Sequence, residues 1–141
     1  MVDRDIISAK TGTIQRCLRR IQQVTKLDPS TLENVDVQDI FAVNLQRAAQ
    51  AAIDLATHVV ASRALGVPQD LKENFRLLQA AQLISPSLAE KMQRMVGFRN
   101  IAVHEYQDLD LAVLKSILLN NLRDLEDFYS AILEQARANR L

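Results

Sequence analysis

The chain has 141 residues, enough for one domain with a real hydrophobic core, and its 17 basic and 17 acidic residues give a net charge of zero. Only three glycines and three prolines are present, which leaves little room for a turn-rich β fold. A neutral chain does not bind nucleic acid through its overall charge, so any such role needs a local patch. We predict a single all-α domain spanning residues 1–141.

Membrane, metal and cofactor roles find no support in the sequence. No run approaches the roughly eighteen apolar residues of a membrane span, and no signal-peptide pattern opens the chain. The single cysteine, Cys17, cannot form an internal disulfide and suits a reducing cytoplasm. The two histidines and one cysteine show no zinc-ligand spacing. We therefore expect a cytoplasmic protein with no metal and no cofactor.

Hydrophobic periodicity predicts five helices that form an up-and-down bundle with short connections. Asp36 with Asp39, and Ser87 with Glu90, are spaced as helix-capping arrangements. The predicted helices are Asp3–Lys26, a second from Asp36 to Leu65, Gln69–Leu83, a fourth opened by Ser85-Pro86-Ser87, and a fifth capped by Asp108 or Asp110 and running to Arg137.

The first predicted helix carries a basic side. Residues 1–26 hold six Lys or Arg against two Asp, a net charge of +4. Arg16, Arg19 and Arg20 are spaced i, i+3 and i+4, which places them on one side of a helix. They form either a solvated face or a face that contacts phosphate or a partner.

The second predicted helix carries polar residues on an apolar background. Asn44, Arg47, Asp54 and His58 recur at spacings of three, seven and four, which places them along one side of the helix. This side is either the solvent face of a long helix or a polar wall that faces a cleft.

The stretch FRNIAVHEY, residues 98–106, brings an arginine, a histidine and a tyrosine together near a predicted helix end. At about 100° per residue, Arg99 and His104 lie roughly 140° apart, so they do not share a face of one helix. Such a pair suits a site at a helix end, or a cleft in which two copies of the motif face each other. The alternative is the polar end of an ordinary helix.

Arginine and histidine fit one chemistry well. A histidine can take and return a proton near neutral pH. An arginine stays charged and offers forked donors that match phosphate oxygens. Together, His104 and Arg99 can cleave RNA without a metal ion, since the histidine assists attack by the ribose 2′-OH while the arginine holds the phosphate.

Three strings resemble one family. Arg99-x4-His104-x-Tyr106 resembles the signature of HEPN-domain ribonucleases. The longer string MVGFRNIAVHEY resembles their HepT-like subgroup, the toxin half of the HepT–MntA toxin–antitoxin systems. NLQRAAQAAIDLATHVV, residues 44–60, is similar to the second helix of that subgroup.

The resemblance implies a homodimer whose two motifs form one composite ribonuclease site. Arg99 and His104 would be the catalytic pair and Asn100 would support their geometry. An MntA-like nucleotidyltransferase antitoxin would add AMP to Tyr106 and thereby inhibit cleavage of the RNA substrate. The resemblance and the shared helical side together place three supporting residues in the cleft: Asn44, Arg47 and Asp54.

Two other functions stay open at this point. The chain can be a non-catalytic helical partner subunit of a nucleotidyltransferase, in which case Arg99 and His104 matter for no activity. It can also be a stand-alone RNA-binding bundle, which the zero net charge disfavours.

Overall fold

The computed structural model describes residues 2–104 and 110–141, without the side chains of residues 103 and 104. Within these residues there are six α-helices, one short 3₁₀-helix and no strand. The α-helices are α1 (Arg4–Thr25), α2 (Val35–Ser62), α3 (Glu73–Ala80), α4 (Pro86–His104), α5 (Leu111–Asn120) and α6 (Leu122–Arg137), and the 3₁₀-helix is Pro29–Glu33.

The two longest helices, α1 and α2, form an antiparallel pair. The start of α1 meets the end of α2, where the Asp3 N–H donates to His58 Nε2 at 3.0 Å. Further into α1, and one turn before His58 in α2, Lys10 Nζ lies 3.0 Å from Asp54 Oδ2. Alanines on α2 are buried almost completely and let neighbouring helices approach its backbone closely: Ala48, Ala49, Ala51, Ala52 and Ala56. The pair is the frame on which the shorter helices pack.

One hydrophobic cluster collects side chains from all six α-helices. At its centre the Phe75 ring of α3 meets the Phe128 ring of α6 edge to face, with 5.3 Å between ring centroids. Both rings are fully buried, and each such burial stabilises the fold by about 1.5–3 kcal/mol. The shared core ties the C-terminal helix to the middle of the chain.

Two predicted helix caps are each wrong by two residues. Asn34, and not Asp36, caps α2, because its Oδ1 accepts from the N–H groups of Asp36 and Val37 at 2.8 and 3.3 Å. Similarly, Ser85 Oγ accepts from the Leu88 N–H at 3.1 Å, in the place predicted for Ser87. A short polar side chain fits the cap only where its own backbone is extended, as at Asn34, and sequence spacing does not reveal that.

The prediction of helices throughout the described residues is confirmed, but the number five is wrong. The predicted fifth helix is two helices, α5 and α6, that meet at Asn120 and Asn121. Asn121 has φ −116° and ψ −11°, which is outside ideal helix geometry, and asparagine is a weak helix former. Of the two predicted caps, Asp110 accepts from the Ala112 N–H at 2.9 Å, whereas Asp108 lies outside the described residues.

The third helix is shorter than predicted, since regular α3 begins only at Glu73 and ends at Ala80. Among the helices described here, none combines the length and the apolar character needed to cross a bilayer. The organisation of residues 1–141 as one domain stays a prediction.

Candidate functional site

Arg99 occupies an unusual position on α4. The buried residues of this helix include Met95, Val96 and Ala102, which are 1%, 2% and 7% exposed. Arg99 lies three or four residues from each of them, so it falls on the same side of the helix. It is half-buried where the pattern otherwise places apolar side chains. A charged side chain in such a place breaks the local packing rule, which is typical of functional sites.

Among the residues that the structure describes, the guanidinium of Arg99 has one hydrogen-bond partner. Its Nη1 donates to Asn100 Oδ1 at 3.0 Å. Its Nε is covered and has no hydrogen-bond partner among the residues that the structure describes. An unmet buried donor costs about 1–3 kcal/mol, and an anionic oxygen can remove that cost. Asn100 thus has a means of orienting Arg99, although its catalytic role stays a prediction.

The backbone of His104 belongs to α4, five residues after Arg99. The side chain of His104 and the whole of Tyr106 lie outside the described residues, so their predicted roles rest on the sequence alone. Within residues 2–104 and 110–141, no three His, Cys, Asp or Glu side chains are grouped in a way that can hold a metal ion.

Asp54 and His58 of the polar side of α2 contact α1. Asp54 accepts from Gln50 Nε2 at 2.8 Å through Oδ1 and pairs with Lys10 through Oδ2. His58 accepts from the Asp3 N–H and so helps to cap α1. These two residues therefore do not form a plain solvent face. Whether Asp54 also lines the catalytic cleft stays a prediction.

Arg47 and Asn44 continue this polar side toward the start of α2. Burial raises the pKa of the Cys17 thiol of α1, while the guanidiniums of Arg47 and Arg16 act in the opposite direction, which places the charge of Arg47 near α1. Asn44 Nδ2 donates to the Ile40 carbonyl within α2 at 2.8 Å. Arg47 thus lies at the α1–α2 boundary, whereas the observed contact of Asn44 stays within α2.

The outward side of α4 has a feature that the sequence analysis missed. A Cβ added to Gly97 would meet no atom within 4 Å, and a glycine inside a helix costs about 1 kcal/mol relative to alanine. The packing of one chain gives no reason for this glycine. Gly97 itself is half-buried, and Asn100 and Ile101, three and four residues later, are exposed. A glycine within a helical run is the signal that would have drawn attention to this face.

Known proteins resemble the chain over almost its full length. A family model described as Ribonuclease HepT-like matches residues 14–132. The chain is 41% identical over 128 residues to the mRNA nuclease HepT of Shewanella oneidensis, covering 91% of this chain and 96% of that protein. It is 31% identical over 106 residues to the tRNA nuclease HepT of Aphanizomenon flos-aquae, covering 74% and 72% of the two chains.

The fold is similar as well. The tri-AMPylated Shewanella oneidensis HEPN toxin, solved in complex with an MNT antitoxin, superposes with a TM-score of 0.86 at 41% identity. The superposition covers 92% of this chain and 98% of that chain. Sequence and fold therefore point to the same relatives.

Proposed function

Because this chain belongs to the HepT-like ribonuclease family, we propose that it is a metal-independent endoribonuclease and the toxin of a cytoplasmic toxin–antitoxin pair. The observation that carries the proposal is Arg99, a half-buried arginine on the core-facing side of α4 with an unmet donor. It stands five residues before His104, the spacing of the family signature. The relatives named above are themselves nucleases.

The proposed reaction uses only protein groups and the RNA itself. His104 removes the proton from a ribose 2′-OH, and the 2′ oxygen attacks the adjacent phosphorus. The bond from phosphorus to the 5′ oxygen breaks, and that oxygen takes up a proton from the protonated imidazolium form of His104. Arg99 stabilises the negative charge that builds up on the phosphate oxygens. The products are a 2′,3′-cyclic phosphate and a free 5′-OH.

We further propose that two copies of the chain join through the outward side of α4. The half-buried Gly97 lies there beside the exposed residues Asn100 and Ile101, and Ile101 is 37% exposed. A glycine allows the backbone of a second helix to approach closely. Such an approach would explain Gly97, which packing within one chain does not explain. His104 follows Gly97 by seven residues, so a dimer through this face brings two motifs together.

The dimer is tested with Gly97→Leu. Light scattering should find a dimer for the parent protein at micromolar concentration and a monomer for Gly97→Leu, with loss of RNA cleavage. The thermal stability of the monomer should not fall, because an added side chain meets open space. Ser130→Leu, on the exposed side of α6, serves as the control that should stay dimeric. A parent protein that is monomeric and fully active would refute the proposal.

A nucleotidyltransferase antitoxin is the proposed regulator. The solved relative is tri-AMPylated and bound to an MNT antitoxin. By analogy, an MntA-like enzyme adds AMP to Tyr106 of this chain. Each added nucleotide brings negative charge and bulk near the motif, which repels and obstructs an RNA substrate.

The proposed place of Asp54 in the cleft can be separated from its role in the fold. The Lys10 and Asp54 side chains are 36% and 39% exposed, so their ion pair stabilises the fold by at most about 1 kcal/mol. Lys10→Gln and Asp54→Asn both break this pair. We expect only Asp54→Asn to lower kcat/KM for RNA cleavage, at nearly equal melting temperatures. If both variants have the same kcat/KM for RNA cleavage, Asp54 has only a structural role.

A further inference from the structure

A groove of about 480 Å³ opens between α4 and the junction of α5 with α6. The break at Asn120 and Asn121 forms one wall, so the groove exists because the predicted fifth helix is divided. The lining residues come from α4 on one side and from the α5–α6 junction on the other: Lys91, Arg94 and Phe98, then Asn120, Asn121, Arg123, Asp124 and Asp127.

Three basic and two acidic side chains line the described part of the groove, a net charge of +1, although the whole chain is neutral. None of its three basic side chains, Lys91, Arg94 and Arg123, forms an ion pair with a carboxylate in the described part of the chain. Asp124 is only 4% exposed and accepts from Asn121 Nδ2 at 3.1 Å within the first turn of α6, where the helix dipole favours a negative charge. Among the lining residues that the structure describes, Asp127 is therefore the only exposed carboxylate, beside three basic side chains.

The remaining groups suit a single-stranded nucleic acid. Proteins bind single strands with a cationic groove that follows the phosphates and with aromatic rings on which bases stack. The half-buried ring of Phe98 lines the groove, and the amides of Asn120 and Asn121 offer donors and acceptors. Phe98 is bonded directly to Arg99, so the groove ends beside the catalytic motif.

We infer that this groove holds the single-stranded RNA next to the scissile bond. Lys91, Arg94 and Arg123 contact successive phosphates, and Phe98 stacks on one base. The spacing i, i+3 and i+7 of the α4 residues places them on one side of that helix, parallel to the strand. The inference rests on the proposed ribonuclease function and assigns its substrate a path along the fold.

The experiment measures binding of a fluorescent uridine 12-mer at several salt concentrations, in a His104→Ala background that prevents cleavage. The triple variant Lys91→Gln, Arg94→Gln, Arg123→Gln should bind more weakly. Its slope of log K against log salt should be smaller by about 2, at about 0.7 for each phosphate contact in a single strand. The matched control removes three exposed cations elsewhere, at Lys72, Arg137 and Arg140, and should keep the parent slope.

Phe98→Leu tests the stacking contact separately, since leucine keeps most of the apolar packing. We expect binding that is weaker by about 5-fold or more, at the lower end for loss of one stacked base. Circular dichroism melting verifies that each variant is folded.

Three outcomes would overturn the inference. If the groove variants and the matched control bind alike, the groove holds no RNA while the ribonuclease function stands. If the groove variants bind RNA normally but no longer bind the nucleotidyltransferase antitoxin, the groove is a protein interface. If the parent protein neither binds nor cuts RNA, the proposed function fails and the groove assignment fails with it.

Discussion

Replacing His104 with alanine is expected to lower the rate of RNA cleavage by about 10²- to 10⁴-fold, the usual loss for a general acid or base. Arg99→Ala should cause comparable damage, because it removes the charge that stabilises the phosphate in the transition state. Arg99→Lys should not restore the rate, since an ammonium group is a point charge and cannot reproduce the forked contact. The parent enzyme should cut equally well in EDTA.

Single-turnover cleavage of a labelled RNA measures these rates without a contribution from product release. His58→Gln is the matched control, because His58 is the other histidine of the chain and contacts the start of α1. It should cut RNA at the parent rate. Cleavage that disappears in EDTA, or that survives in His104→Ala, would disprove the mechanism. A parent protein that binds the nucleotidyltransferase but cuts no RNA would identify a non-catalytic partner subunit.

Tyr106→Phe is expected to keep most of the ribonuclease activity and to escape inactivation by a nucleotidyltransferase antitoxin with ATP. A phenol has an ordinary pKa near 10, so tyrosine carries protons poorly at neutral pH and His104 is the better base. Its hydroxyl is nevertheless a nucleophile that can accept an AMP unit. The phenylalanine variant lacks only that oxygen.

Intact-mass spectrometry after incubation with the antitoxin and ATP checks this prediction. The parent protein should gain AMP units and lose activity, whereas Tyr106→Phe should gain none. Tyr129→Phe provides the control, because Tyr129 is the only other tyrosine and is half-buried on α6. AMP addition to Tyr106→Phe, combined with its loss from Tyr129→Phe, would move the control point to α6.

The sequence predicted helix positions best where one apolar stripe has clear ends. The first helix, predicted as Asp3–Lys26, is observed as Arg4–Thr25 because polar breaks flank it. The prediction of one continuous fifth helix was wrong, because apolar residues continue on both sides of Asn120 and Asn121. The division depends on the backbone of Asn121 and on packing, since α5 contacts the 3₁₀-helix while α6 contacts α1 and α4. Local periodicity does not contain those distant contacts.

The family prediction is confirmed, and it depended on two separate stretches, residues 95–106 with the Arg-x4-His pattern inside them and residues 44–60. The Arg-x4-His pattern by itself would not have sufficed. Contacts across the helices were harder to predict. The pairing of Lys10 with Asp54 requires the register between two helices whose residues lie 44 positions apart. The groove beside Phe98 requires the α5–α6 break. Such features follow from tertiary packing, so sequence spacing alone could not place them.

The buried thiol of Cys17 has a consequence for chemical stability. The thiolate is the reactive form of cysteine, and burial both covers this sulfur and raises the pKa of its thiol. The folded chain therefore reacts slowly with alkylating reagents and oxidants. Since the chain has one cysteine, its labelling rate reports how often α1 separates from the core, which gives the free energy of local opening without any added probe.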